Sequence, residues 1–140
     1  MLRFLALAVP ALLLLLAFAT FAATQLGLEP DHSALARLGV ARNVALPRAV
    51  AVAALAFETL ALLAFYSVVA GRTGAWWLDG LATGLLAWLF RGPLVVVTIA
   101  TWTRLPTEVF WSQAKLWLVV YPLAGLLAAA LGRRTGWAPR

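Results

Sequence analysis

The sequence predicts an all-α polytopic membrane protein in which four transmembrane helices form a small bundle, with a short interfacial helix between the first and the second. Hydrophobic residues make up 64% of the 140 residues and charged residues only 11%, whereas soluble domains carry about a quarter charged residues. The apolar residues fall into four stretches, each near the ~20 residues that a helix needs to cross a bilayer. A water-soluble fold of this length would leave much of that apolar surface exposed.

The predicted spans cover residues 4–26, 49–70, 78–102 and 109–131. The connections are too short to hold a soluble domain, so we expect a single membrane domain over residues 1–140. The first span follows a basic residue, Arg3, and carries small residues at Ala17 and Ala19, as a cleaved signal peptide does. Its apolar run is longer than the roughly 7–15 residues usual in a signal peptide, so we interpret it as an uncleaved helix.

The connection between the first two spans predicts the interfacial helix. Pro30 and Asp31, followed by Ser33, are typical of a helix start because side-chain oxygens satisfy the free amides there. Gly39 is typical of a helix end. We expect this segment to lie at the membrane surface with three arginines directed toward the head groups: Arg37, Arg42 and Arg48.

The residue types give little support to metal or cofactor chemistry. The chain has no cysteine and a single histidine, which excludes disulfides, thiolate metal sites and iron–sulfur clusters. Glu29, Asp31 and His32 are crowded into four residues of one loop, without a second cluster to complete a coordination sphere. Capping and solvation explain these three residues better than metal binding does. We therefore expect no metal site and no cofactor.

Tryptophans mark the ends of the predicted spans, because the indole ring prefers the membrane–water interface. Five of the seven lie near such ends: Trp76, Trp77, Trp102, Trp111 and Trp137. Trp88 and Trp117 lie deeper, and we interpret them as packing residues.

The net charge of +6 comes almost entirely from arginines. In a membrane protein this charge favours contact with anionic lipid head groups, and we expect no nucleic-acid partner. The basic residues divide equally between the two sides, and the adjacent Arg133 and Arg134 then favour cytoplasmic termini. The bias to Ala, Leu and Arg is typical of a GC-rich bacterial genome, so we expect a multi-pass protein of the bacterial cytoplasmic (inner) membrane.

Two ionisable residues, Glu58 and Arg91, lie near the centres of the second and third spans. A lone charge at the membrane centre costs about 2.5–3.5 kcal/mol on insertion scales. Because the two spans are joined by a short connection, they are expected to form an antiparallel hairpin. We therefore predict that Glu58 and Arg91 meet and neutralise each other.

Helical spacing predicts which residues share a face with these charges. Steps of three and four from Arg91 give Gly84, Trp88, Val95, Thr98 and Trp102. The same steps from Glu58 give Ala51, Ala54, Ala61 and Phe65. Each stripe combines a charge with small or polar neighbours, as interior faces of membrane bundles do.

Gly92 and Pro93 interrupt the third span next to Arg91. Proline lacks an amide donor and clashes with the carbonyl four residues earlier, here that of Leu89. Such breaks are tolerated at membrane depth where they are buried in protein or line a cavity. Pro93 then either bends a helix or helps to build a binding site, as broken helices do in transporters.

Small residues recur at four-residue spacing in the third and fourth spans. Gly80 and Gly84 form one such pair, and the fourth span carries Ala124, Ala128 and Gly132. This spacing permits close approach of two helices. In an alanine-rich chain it also arises often by chance, so the pattern is weak support for any particular contact.

Three function classes stay open. The leading one is a non-enzymatic accessory or scaffold subunit of a larger membrane complex, because the sequence holds no soluble domain and no catalytic constellation. The second is a homo-oligomeric small transporter or channel that uses Glu58 and Arg91, since four helices enclose little by themselves. The third is an intramembrane enzyme acting on a lipidic substrate, with Glu58 as acid–base group, Arg91 orienting an anion, and Tyr66 or Tyr121 donating a hydrogen bond.

No residue is assigned as catalytic. The candidate site is the pair Glu58 and Arg91, as a charge pair or as a substrate or ion site. Four further residues are placed in support: Pro93, Trp88, Thr98 and Tyr66.

Overall fold

The structure is a computed structural model that describes residues 1–26, 48–102 and 107–137. The described helices are α1 (Leu2–Gln25), α2 (Arg48–Val69), α3 (Trp76–Arg91), α4 (Pro93–Trp102) and α5 (Thr107–Thr135). Four helical segments in these ranges are long and apolar enough to cross a membrane, the third running through α3 into α4. The all-α fold class with four membrane spans is therefore confirmed. The protein is a multi-pass membrane protein.

The sequence prediction differs from the structure mainly in the length of the last two spans. The third begins at Trp76 rather than at residue 78. The fourth continues past residue 131 through Arg133 and Arg134 to Thr135. The predicted interfacial helix and the loop residues Glu29, Asp31 and His32 lie outside the described residues.

Helix α1 packs into the bundle through one stripe of apolar residues. Phe4, Ala8, Leu12 and Leu16 recur every fourth residue and are all buried, which places them on one face of the helix. This face contacts α5 and α2. The opposite face carries exposed leucines and phenylalanines such as Phe18, as expected for a surface that faces lipid. Helix α1, which has some features of a signal peptide, therefore contributes buried residues to the described core.

The most extensive contact in the bundle joins α3 to α5, and glycines make it possible. A Cβ atom built on Gly84 would lie 2.5 Å from Pro122 Cα, and one built on Gly125 would lie 2.7 Å from Gly84 N. A Cβ on Gly80 would lie 2.9 Å from Gly125 O. No side chain fits between these backbones, so the Gly80–Gly84 spacing is a true helix contact. Its partner is Gly125, which lies beside the predicted stripe of Ala124, Ala128 and Gly132.

A tight turn connects α2 to α3 and depends on Asp79. Gly71 and Gly74 both have a φ of 80°, a left-handed conformation that glycine adopts without strain. The Gly71 amide donates to Asp79 Oδ2 at 2.7 Å, and the Thr73 amide and hydroxyl donate to Oδ1 at 3.1 and 2.9 Å. One buried carboxylate in the first turn of α3 therefore holds the whole connection.

Both ends of the described chain meet at the same end of the bundle. Phe4 of α1 stacks on Trp137 with ring centroids 4.3 Å apart. Tyr66, near the end of α2, packs against the same two rings at 5.8 and 5.7 Å. This aromatic group also lies beside the α2–α3 turn, because Tyr66 lines the same cavity as Gly71 and Gly74 of that turn. We call this end of the molecule the terminal end.

Candidate functional site

The structure brings Glu58 and Arg91 together. Glu58 lies in the middle of α2, and Arg91 is the last residue of α3. The Arg91 Nε donates to Glu58 Oε1 at 2.7 Å, a distance typical of a strong charge-assisted hydrogen bond. The antiparallel α2–α3 hairpin places the two residues at similar depth, as the sequence predicted. Their pairing is observed, whereas a role beyond pairing stays a prediction.

Two aromatic residues of α5 complete the cluster. The Tyr121 hydroxyl donates to Glu58 Oε2 at 3.3 Å, so each carboxylate oxygen accepts one hydrogen bond. The Arg91 guanidinium carbon lies 5.9 Å from the ring centroid of Trp117, within the range of a cation–π contact. Sequence reasoning considered Tyr121 only as a hydrogen-bond donor in an enzyme and Trp117 only as a packing residue. Trp117 and Tyr121 are four residues apart, which places them on one face of α5. This spacing is the sequence signal that could have linked the two residues.

The charge cluster lies at the edge of the bundle rather than in its interior. The Arg91 side chain is 42% exposed and that of Glu58 18% exposed. The two residues border a groove between α2 and α3 with a volume of about 190 Å³. Seven further residues line this groove: Phe57, Ala61, Leu62, Phe65, Ala87, Phe90 and Tyr121. The groove is therefore lined mainly by apolar side chains, apart from the place where Glu58 and Arg91 border it.

The prediction that the stripe through Arg91 faces the interior is wrong for the residues that follow Gly92. Gly84 is buried and Trp88 half-buried, but Val95 and Thr98 are exposed. The reason is the break between α3 and α4: Gly92 has φ −102° and ψ −92°, which is not a helical conformation. Residues on the two sides of Gly92 therefore do not share one continuous face.

The burial of the predicted stripe through Glu58 also differs between its two ends. Ala51 and Ala54 are exposed, while Ala61 and Phe65 are half-buried. The inward face of α2 carries Thr59, Leu62, Leu63, Tyr66 and Val69 instead. Glu58 thus lies on the flank of the buried face, where it reaches both α3 and α5.

The helix break at Pro93 is local. Gly92 N–H still donates to Trp88 O at 2.7 Å, and Val96 N–H donates to Gly92 O at 3.0 Å. The helical hydrogen bonds therefore resume within one turn of the proline. In the described contacts the Arg91 guanidinium bonds to Glu58 rather than to a carbonyl freed by Pro93.

The other supporting residues have separate roles. Trp88 Nε1 donates to Ala114 O of α5 at 2.7 Å and ties α3 to α5. The Thr98 hydroxyl donates to Leu94 O of its own helix at 2.8 Å. Tyr66 belongs to the aromatic group at the terminal end, two turns along α2 from Glu58. Of the four supporting residues, Pro93 and Trp88 lie within one turn of Arg91 along the chain, whereas Thr98 and Tyr66 lie about two turns from the charged residues.

Comparison with protein-family models, curated proteins and solved structures finds no match. The chemistry of the site therefore rests on the residues themselves. Within residues 1–26, 48–102 and 107–137, no group of three His, Asp or Glu residues is placed to hold a metal ion. In the same ranges every fully enclosed side-chain nitrogen or oxygen has a hydrogen-bond partner. The cluster can stabilise opposite charges inside a membrane and offers one partly exposed guanidinium to a neighbour.

Asp79 is the ionisable residue that sequence reasoning missed. Unlike Glu58 and Arg91, Asp79 does not lie near the middle of a span but in the first turn of α3. The signal was the glycine-bearing turn followed by an acidic residue at a helix start, where a carboxylate accepts bonds from free amides.

Proposed function

We propose that this protein is a non-enzymatic subunit that packs laterally against another protein within the membrane. The observation that carries the proposal is the Arg91 side chain, 42% exposed at the outer surface of α2 and α3. A guanidinium facing lipid tails is expensive even when one of its groups is paired. A neighbouring helix that covers Arg91 and accepts its remaining hydrogen bonds removes that cost.

The surroundings of Arg91 suit a helix as the neighbour. Phe57 is 73% exposed and stands on one side of the groove, and Phe90 stands on the other side. Large apolar side chains flanking a short slot match the way in which transmembrane helices pack through van der Waals contact and a few polar bonds. The expected partner is an apolar helix with a backbone carbonyl, hydroxyl or carboxylate at the depth of Arg91.

The proposal includes a cellular location. The alanine-, leucine- and arginine-rich composition supports a bacterial cytoplasmic membrane. Arg133 and Arg134, directly after the last apolar turn of α5, support cytoplasmic termini under the positive-inside rule.

Site-directed crosslinking tests the subunit proposal. A photoreactive phenylalanine analogue in place of Phe57 is expected to crosslink to a second polypeptide in native membranes. The same analogue in place of Phe18, which is equally exposed but on α1, is the matched control and is expected to give no defined product. If Phe57 crosslinks only to lipid, and the protein purifies alone from mild detergent, the proposal is wrong.

Transport is the competing proposal, because Glu58 borders a groove that a small ion can enter. It predicts flux in liposomes that depends on Glu58. Purified protein and the Glu58→Gln variant are compared under proton, sodium and chloride gradients. We expect equal, background flux from both; flux lost in Glu58→Gln would replace the subunit proposal by a transporter.

A further inference from the structure

A second cavity lies at the terminal end of the bundle, remote from Glu58 and Arg91. Its volume is about 430 Å³, within the range of small-molecule sites. Its polar lining comes from three helices, with Tyr66 of α2, Asp79 of α3 and Arg133 of α5. Trp76, Ala129 and four glycines complete the wall: Gly71, Gly74, Gly132 and Gly136.

Two opposite charges share this cavity without pairing. The ion pair within the described residues joins Glu58 to Arg91, so Asp79 and Arg133 lie farther apart than a salt bridge allows. Asp79 Oδ2 accepts a single described bond, from the Gly71 amide, and a carboxylate oxygen can accept a second. Arg133 is held over the Trp76 ring, with the guanidinium carbon 5.7 Å from the ring centroid. One ligand with both an anionic and a cationic group can contact both residues.

The Tyr66 hydroxyl is an independent sign of a ligand. Tyr66 is only 3% exposed, yet the described hydrogen bonds include none that involves its hydroxyl. The hydroxyl is not among the enclosed side-chain oxygens that lack a partner, as expected for a hydroxyl that borders open space. It abuts Gly132, and both residues line the cavity. A polar group on a buried side chain therefore borders the cavity with no hydrogen-bond partner among residues 1–26, 48–102 and 107–137.

The depth of the cavity matches the lipid head groups. Tyr66 lies one turn from the end of α2, Asp79 lies in the first turn of α3, and Arg133 lies in the last turn of α5. All three are at the same end of their membrane spans. Trp76 and Trp77 at the start of α3 are exposed, as anchors at the interface are.

From these observations we propose that the terminal-end cavity binds the phosphoethanolamine group of a zwitterionic phospholipid. Arg133 contacts the phosphate, while Asp79 and the Tyr66 hydroxyl accept hydrogen bonds from the primary ammonium. A choline head group carries the same charges but has no N–H donor, and a glycerol head group carries no cation. The site therefore prefers ethanolamine to both.

Native mass spectrometry of the full chain in mild detergent tests the proposal. Phosphatidylethanolamine, phosphatidylcholine and phosphatidylglycerol with identical acyl chains are added at equal concentrations. We expect the ethanolamine lipid to bind roughly tenfold more tightly than the choline lipid, since the latter forfeits hydrogen bonds between charged groups. Equal binding of these two, or tightest binding of the glycerol lipid, would overturn the proposal.

Two variants and one control variant test which residue binds which part of the head group. Arg133→Gln is expected to weaken all three lipids, whereas Arg134→Gln, which removes a neighbouring exposed charge outside the cavity, is expected to weaken none selectively. Tyr66→Phe keeps the ring that packs on Phe4 and Trp137, and it is expected to reduce only the preference for ethanolamine. Melting temperatures without added lipid show that each variant is folded. Identical lipid binding by Arg133→Gln and Arg134→Gln would exclude the site.

A competition experiment distinguishes binding of the lipid from binding of a soluble ligand with the same head group. Glycerophosphoethanolamine carries the head group without acyl chains, so it is expected to displace the lipid only at far higher concentration. Displacement at equal concentration would assign the cavity to a soluble phosphoethanolamine compound and contradict the lipid proposal.

Discussion

Arg91 is accommodated at membrane depth because two side chains contact its guanidinium and a third supports the carboxylate that it pairs with. Glu58 accepts its Nε–H at 2.7 Å, and the Trp117 ring lies beneath the guanidinium. Tyr121 in turn donates to the second oxygen of Glu58. In such a cluster the removal of one charge is worse than the removal of both, because the remaining charge loses its partner in a medium that solvates it poorly.

This reasoning predicts the outcome of a double-mutant cycle. Arg91→Leu is expected to destabilise the protein more than the double variant Arg91→Leu with Glu58→Leu. We expect a coupling energy of about 1 kcal/mol, since polar pairs inside membranes rarely exceed that by much. Reversible unfolding in detergent micelles measures it. A double variant whose loss equals the sum of the single losses would show that the pair contributes no coupling.

Helices α3 and α5 touch backbone to backbone, and this contact sets the position of every functional side chain on them. Gly84 lies against Pro122, and Gly125 lies against Gly80 and Gly84. Trp88 adds a hydrogen bond to Ala114 O farther along the same interface. Because membrane helices gain little from burying apolar surface, such close approach is a main source of their association. The rotation of α3 about its axis, and hence the direction of Arg91, follows from this contact.

Gly84→Ala is therefore expected to lower the free energy of unfolding by about 1–3 kcal/mol, the usual cost of overpacking a tight interface. The added methyl group meets backbone atoms of Pro122, which cannot move aside as a side chain can. Unfolding in micelles gives the difference. Ala130→Val adds more volume on an exposed position of α5 and is expected to be nearly neutral, so equal losses for the two variants would contradict this account.

Among the described residues, two separate polar regions stand out in the largely apolar bundle. One is the charge cluster at mid-depth, beside a groove that opens between α2 and α3. The other is the terminal-end cavity with Asp79, Tyr66 and Arg133. The first suits a protein neighbour within the membrane, and the second suits a head group at its surface. The two proposals therefore concern separate surfaces of one small protein, and binding at one does not block the other.

The orientation of the whole molecule is open to a direct test because the chain has no cysteine. Leu2→Cys and Gln25→Cys mark opposite ends of α1, and both positions are exposed. With cytoplasmic termini, an impermeant maleimide is expected to label Gln25→Cys in intact spheroplasts and Leu2→Cys only after permeabilisation. The reverse pattern would place the termini outside.

The sequence alone determined the class of the protein, its four spans and the shared depth of Glu58 and Arg91. These are local properties, because hydropathy over about 20 residues identifies a span and a rise of about 1.5 Å per residue converts position into depth. The break at Pro93 was predictable for the same reason, since it follows from the chemistry of one residue.

Only the tertiary structure decided which way each charge faces and what else it meets. The exposure of Arg91, the bond from Tyr121 to Glu58, and the cavity shared by Tyr66, Asp79 and Arg133 all depend on how helices distant in sequence rotate against one another. Helical periodicity places residues on a face but does not say which face is inward when nearly every residue is apolar. In this protein the close contact of glycines between α3 and α5 makes that choice, because side chains elsewhere would hold the two backbones apart.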